Sequence, residues 1–301
     1  MRLVWNTALI DTVLAQWTQH TCDFSAVLRH PVFLDLTARA CDFEQKTLTP
    51  EAYLHQLLHI DGIDMQKHCP EIERNLRCLQ RIDLDAPIRD VARFLPPSLL
   101  PSIGDIPIYP VIGIAGLAHR HYIIIDPSPC PWFPADGSDA YAYVHTFILP
   151  TLRHEAHHVG YMHLHPDSPD PTPRTLRALA VDFARQVQME GGAMLCQHLC
   201  NGRKLRDEER MHACRALESC SALLRSWLEQ GDQPISPEAW TAYYALWGES
   251  QLAYGLGEAL CLLLIEYGGA RCVADCMCME PLQLFHACAQ SLGIALPCAT
   301  S

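Results

Sequence analysis

Residues 149–167 of the 301-residue chain read LPTLRHEAHHVGYMHLHPD and carry five of its 16 histidines. Within them His154, Glu155 and His158 form H-E-x-x-H, and this spacing constrains the fold more than any other feature. Side chains four apart share one face of an α-helix, so both imidazoles reach one ion only if the stretch is helical. Two ligands do not complete a catalytic site, and a third donor has to arrive from another element packed on that face. The motif therefore demands a helix pair with a polar, ion-holding seam. Glu155, turned about 100° from His154 along the helix, can lie beside the ion and accept a proton from water.

In a chain this rich in histidine the pattern also arises by chance, so its surroundings decide its weight. A helix-forming stretch contains it, a strand-like segment precedes it, and Glu190 in VQMEGGAML lies 32 residues beyond His158 on the next helical stretch. Glu190 is the favoured third ligand, with zinc the expected ion because two imidazoles and a carboxylate suit it. Gly191 and Gly192 directly after it would permit close helix approach. His163, His165 and Asp167 compete as third ligands. The extended form H-E-x-x-H-x-x-G-x-x-H is out of register here, since Tyr161 and Leu164 stand where glycine and histidine are needed. His157 points off the ligand face, which suits a neighbouring or surface role.

Glu155 and His158 also make E-x-x-H, half of a di-iron carboxylate motif, but no second E-x-x-H stands on a suitable helix. The remaining histidines, including His55, His59, His119, His121 and His145, read as surface or hydrogen-bonded side chains. Fifteen cysteines form an odd set with no secreted disulfide spacing. The tightest group, Cys272, Cys276 and Cys278, lacks the pairing of a zinc or iron–sulfur site. These thiols are expected to be reduced and to pack as small apolar residues.

Charge narrows the partners. Twenty-two basic against 34 acidic side chains give a formal net charge of −12. That balance disfavours nucleic acid and an anionic membrane surface, both of which need clustered Lys and Arg. No apolar run reaches the roughly 18 to 20 residues that cross a bilayer. The opening MRLVWNTALIDTVLAQW breaks its apolar stretch at Asn6 and Asp11 and shows no cleavage site, so a cytoplasmic location is expected.

Apolar residues at three- and four-residue intervals in TALIDTVLAQW, PEAYLHQLLHIDGI and EIERNLRCLQRI predict an N-terminal helical portion over residues 1–95. Two β-rich runs follow, IPIYPVIGIAG and HRHYIIIDPSP, and predict a small antiparallel sheet. After the turn-rich SPCPWFPADGSD, helical periodicity resumes near residue 139, with Pro150 marking a kink or the true helix start. The proline-rich HPDSPDPTP separates this helix from RTLRALAVDFARQVQMEGGAMLCQHLC, and further helices run to the C-terminus.

The blocks RHEAHHVGY, MEGGAML and LAYGLGEALCLLLIEYGG, in that order, resemble a bacterial family of predicted zinc-dependent proteases of gluzincin type. In that family H-E-x-H-H is followed by E-G-x-A and then G-Y-x-x-G. The resemblance spans roughly residues 105–270. It implies an α+β, mostly helical fold with a zincin-like core over residues 96–301, either separate from 1–95 or forming one continuous domain with it, containing a small antiparallel sheet and an active-site helix pair. It further implies zinc held by His154, His158 and Glu190, with Glu155 as general base. Ala253 replaces the family's glycine before Tyr254, and Tyr254 is the candidate oxyanion donor, with helix packing as its alternative role.

The expected function is hydrolysis of a peptide or protein substrate, and HYIIIDP is the expected edge strand for peptide pairing. Two other readings of the same residues are a zinc-containing peptide-binding or regulatory protein without turnover, and an iron-dependent oxidase.

Overall fold

A computed structural model describes residues 1–44, 46–60, 63–128, 140–166, 173–198, 204–246 and 252–291. In chain order the elements are β1 (Arg2–Trp5), α1 (Ala8–Thr18), α2 (Ser25–Leu28), α3 (Pro31–Glu44), α4 (Pro50–Leu58), β2 (His59–Ile60), β3 (Ile63–Asp64), α5 (Cys69–Leu79), α6 (Asp85–Val91) and α7 (Leu99–Ser102). There follow β4 (Asp105–Pro110), β5 (Gly116–His119), β6 (Tyr122–Ile125), α8 (Ala140–Tyr143) and α9 (Leu149–Leu164). The remainder is helical: α10 (Leu176–His198), α11 (Asp207–Gln230), α12 (Pro237–Tyr244), α13 (Leu252–Gly268), α14 (Ala270–Met277) and α15 (Pro281–Ser291). The fold is thus α+β and mostly helical. None of the described helices is long and apolar enough to cross a membrane.

The chain divides into two compact units, residues 1–87 with 104–155 and residues 88–103 with 156–301. In the first, four strands form one sheet in the order β1-β4-β6-β5. The expected antiparallel sheet is mixed instead. β1 pairs with β4 and β4 with β6 in parallel, Leu3 opposite Ile106 and Ile108 opposite Ile123, and only β5 runs antiparallel to its neighbour β6. The reason is topological: residues 111–115 carry the chain past one strand position, and β6 returns into that slot.

The predicted edge is corrected by the same arrangement. Tyr122–Ile125 of HYIIIDP is an inner strand with all four residues buried, as expected of a continuous apolar run covered on both faces. The edges among the described strands are β1 and β5, and the four residues of β5 are half-buried. The N-terminal portion is likewise not wholly helical, because Arg2–Trp5 forms β1 and pairs with residues about a hundred positions away.

Local sequence explains the helix starts. Thr49 accepts a hydrogen bond from the Ala52 N–H ahead of Pro50, and Ser236 accepts one from Ala239 ahead of Pro237. In each case a side-chain oxygen satisfies an orphan N–H while proline takes a position that needs no donor. Pro150 is the second residue of α9, and a π-helical turn, Val144–Ile148, lies directly before it. Helical backbone is thus continuous from Ala140, so Pro150 marks the irregularity where the π-helical turn gives way to α9 and not the true helix start, and Thr151 returns its hydroxyl to the Phe147 carbonyl at 2.8 Å.

In the second unit α10 is the central helix, with Leu179, Phe183 and Val187 buried against Leu217, Leu224, Trp227, Leu256 and Phe285. Asp182 on α10 is buried too, and it accepts from both Arg185 and the Tyr243 hydroxyl. The pairing is necessary because an isolated carboxylate in such a core is strongly unfavourable.

Candidate metal centre

His154, Glu155 and His158 all lie on α9 and are buried, as is Glu190 on α10. One nitrogen from each of His154 and His158 and one carboxylate oxygen of Glu190 lie within 4.8 Å of one another. His158 Nε2 and Glu190 Oε2 are 3.3 Å apart. Two donors each about 2.1 Å from one tetrahedral zinc ion stand about 3.4 Å apart, so this pair already has the spacing that a shared ion requires. The donor chemistry fits as well: two imidazoles and a carboxylate leave a fourth position open. A buried carboxylate among buried imidazoles also calls for a compensating cation.

The glycines after Glu190 do two different jobs. A Cβ on Gly191 would stand 2.5 Å from the backbone carbonyl carbon and oxygen of Gly257, so α10 and α13 touch through their main chains there. A Cβ on Gly192 would stand 2.4 Å from Cε1 and Nε2 of His157. His157 is therefore no surface residue. It is completely buried, its ring lying over the bare backbone of α10. The propensity lost at this glycine pair is offset by close packing that any side chain would prevent.

Glu155 has a neighbour that the sequence reading missed. Gly116 on β5 is so close to α9 that a Cβ there would lie 2.7 Å from Glu155 Oε1 and 2.5 Å from Thr151 Cγ2. This edge strand of the described sheet thus passes directly beside the candidate base, and the absence of a side chain makes that approach possible. The signal available in sequence was a glycine at the end of the first β-rich run, and glycine in a strand often marks close backbone approach. Its partner could not be read from it.

Of the competing ligands, His163 and His165 are partly buried and stand outside the three-donor group. His165 is committed elsewhere, its Nε2 lying 2.7 Å from the Met277 carbonyl oxygen. Asp167 lies outside the described residues, as does most of SPCPWFPADGSD and of the HPDSPDPTP connector. Tyr254 is partly buried on α13, while the donor group itself is built by α9 and α10 alone.

Among the described residues no second group of three histidine, cysteine or carboxylate donors comes together. Burial pushes the Cys276 thiol up to about 11, consistent with a core residue, whereas Cys278 is exposed. His55 and His59 stack on each other at the surface, and His119 stacks on Tyr122. Tyr122 in turn donates its hydroxyl to Asp35. No protein-family model, no curated protein and no solved structure matches the chain.

Proposed function

We propose that the chain is a zinc-dependent metallopeptidase acting on peptide or protein substrates in the cytoplasm, with His154, His158 and Glu190 as metal ligands and Glu155 as general base. The observation that carries the reading is the convergence of three buried donors from α9 and α10 with Glu155 next along the same helix. Bound zinc would supply Lewis-acid polarisation of a carbonyl and lower the pKa of a water.

The chain's own residues account for the remaining steps. Glu155, one residue along α9 from a ligand, takes the proton of the attacking water and delivers it to the amine as the carbon–nitrogen bond breaks. The outer edge of β5, unpaired among the described strands, offers main-chain N–H and C=O groups to an extended peptide. Gly116 brings that backbone against Glu155 with no side chain between them. Tyr254 is the candidate donor to the oxyanion.

The test is hydrolysis of an unstructured protein substrate by the purified chain. Activity should be lost on chelation, restored by zinc, and absent from Glu155→Ala although that variant still holds metal. Hydrolysis undiminished in Glu155→Ala would overturn the assignment of the base. Stoichiometric iron with oxygen consumption would replace peptidase by oxidase. Zinc binding and peptide binding without turnover would leave a recognition protein.

A further inference from the structure

Gln188 is completely buried two residues ahead of Glu190 on α10. A glutamine amide has two N–H donors and one carbonyl acceptor, and here all three are engaged by three different partners. Its Oε1 accepts the Tyr161 hydroxyl at 2.7 Å, and its Nε2 donates to the Cys276 carbonyl at 2.6 Å and the Met279 carbonyl at 3.1 Å. Tyr161, on α9, is three residues past His158 and is buried as well. One side chain thus joins both ligand-bearing helices to the end of α14.

The contacts between α9 and α10 run in antiparallel register. His157 meets Gly192, His158 meets Glu190, and Tyr161 meets Gln188. Sliding one helix along the other by a single residue moves facing side chains by about 1.5 Å, enough to separate two ligands that must share one ion. Apolar packing resists such a slide weakly, because it is not directional. A buried hydrogen bond with fixed length and angle resists it strongly, since breaking it strands polar groups away from water. The end of α14 adds an outside reference. The carbonyls at its end retain acceptor capacity: that of Cys276, which already takes the Met279 N–H at 3.1 Å, also receives Gln188 from α10, and that of Met277 receives His165, the residue that follows α9.

We infer that Gln188 is the positioning residue of the metal centre: held by Tyr161 and by the end of α14, its amide fixes the height at which Glu190 faces His158. The inference rests on the reading of His154, His158 and Glu190 as metal ligands, but not on peptidase chemistry. Gln188 touches no reacting atom and acts only through Glu190 and the α9 register.

Zinc affinity, measured by competition with a chromophoric chelator on the full chain, tests it, together with the absorption spectrum of the cobalt-substituted protein. Gln188→Met keeps the shape and removes all three hydrogen bonds, while Tyr161→Phe removes one hydroxyl. Residues that orient metal ligands typically contribute about 10- to 100-fold in affinity, so a loss of about tenfold is expected in both variants. An altered cobalt spectrum should accompany it, with the circular dichroism of the metal-free proteins unchanged. A merely structural role would lower the unfolding temperature and leave the spectrum as in the wild type.

Zinc affinity within about twofold of wild type in folded Gln188→Met and Tyr161→Phe overturns the inference and leaves the metal centre standing. Absence of stoichiometric zinc or cobalt binding in the wild type overturns both. If Gln188→Met does not fold, Tyr161→Phe decides alone.

Discussion

His158 Nε2 lies 3.3 Å from Glu190 Oε2, with both side chains almost wholly withdrawn from water. Such a pair is held together either by a proton or by a metal ion, and the two cases respond differently to zinc. A ligand that binds only the folded state stabilises it by about 3 kcal/mol when its free concentration is a hundredfold above Kd. We predict that zinc raises the unfolding temperature of the metal-stripped chain by several degrees, and that Glu190→Gln and His158→Gln abolish the rise. Thermal unfolding with and without zinc measures it, and an equal rise in Glu190→Gln would place the ion elsewhere.

The closeness of Gly116 to Glu155 gives a prediction about turnover alone. An alanine at 116 would put its Cβ 2.7 Å from Glu155 Oε1 and 2.5 Å from Thr151 Cγ2, so the carboxylate has to move. Misplacing a reacting group by about 1 Å can cost on the order of a hundredfold in rate. Gly116→Ala should therefore reduce kcat by tenfold or more on this scale, while its metal content remains that of wild type. Steady-state kinetics beside metal analysis checks this. A loss of metal in step with the loss of rate would show that the strand supports the ligands instead of the base.

Two glycines on the second unit's helices should respond to alanine with opposite signs. Gly191→Ala drives a methyl group into the backbone of Gly257, which cannot swing aside, and overpacking of this kind costs about 1–3 kcal/mol or more. Gly255, on α13, has no atom within 4 Å of where its Cβ would be. Gly255→Ala should stabilise by about 0.5–1 kcal/mol through helix propensity. Urea denaturation of the two variants decides the matter, and equal signs would contradict the close crossing of α10 and α13.

The cysteines predict a pH dependence. Burial first, then the neighbouring Cys272, Asp275 and Cys278, raises Cys276 from an ordinary 9.0 to about 11, and burial raises Cys220 to about 12. A thiol whose folded pKa is raised gives up its proton more readily in the unfolded chain. Stability should therefore be fully present below about pH 9 and decline as pH rises towards 11. At pH 8 an alkylating reagent should label exposed Cys22 and spare Cys220 and Cys276 until the chain is unfolded. Mass spectrometry of limited alkylation reads the order directly, and early labelling of Cys276 would sink the prediction.

What the sequence made legible was what helix periodicity dictates over short range. His154 and His158 share a face because they are four apart, and Glu190 was recognisable as a carboxylate followed by two glycines on a helix of suitable length. The pairing of Leu3 with Ile106 was invisible, because a four-residue strand carries no pattern beyond its own length and its partner is about a hundred residues away. β6 was mistaken for an edge for a related reason: YIII shows that both faces are covered but not which strands flank it. His157 looked free to face solvent because its surroundings are set by Gly192, 35 residues later and on another helix. Gln188 gave no signal at all, since a glutamine in a helix is ordinary until its three hydrogen-bond partners are known.

The tripeptide Glu190-Gly191-Gly192 answers to three neighbours at once: His158 on one helix, the Gly257 backbone on another, and the His157 ring. Successive residues turn about 100° around a helix, so the three demands occupy different directions and none can be relaxed by adjusting its sequence neighbour. A change at any one of them needs its remedy in a separate part of the chain, and no single second-site change can serve for two. Across variants of this protein the three positions should therefore be inherited as one block, with few tolerated alternatives, even where the helix surfaces around them drift freely.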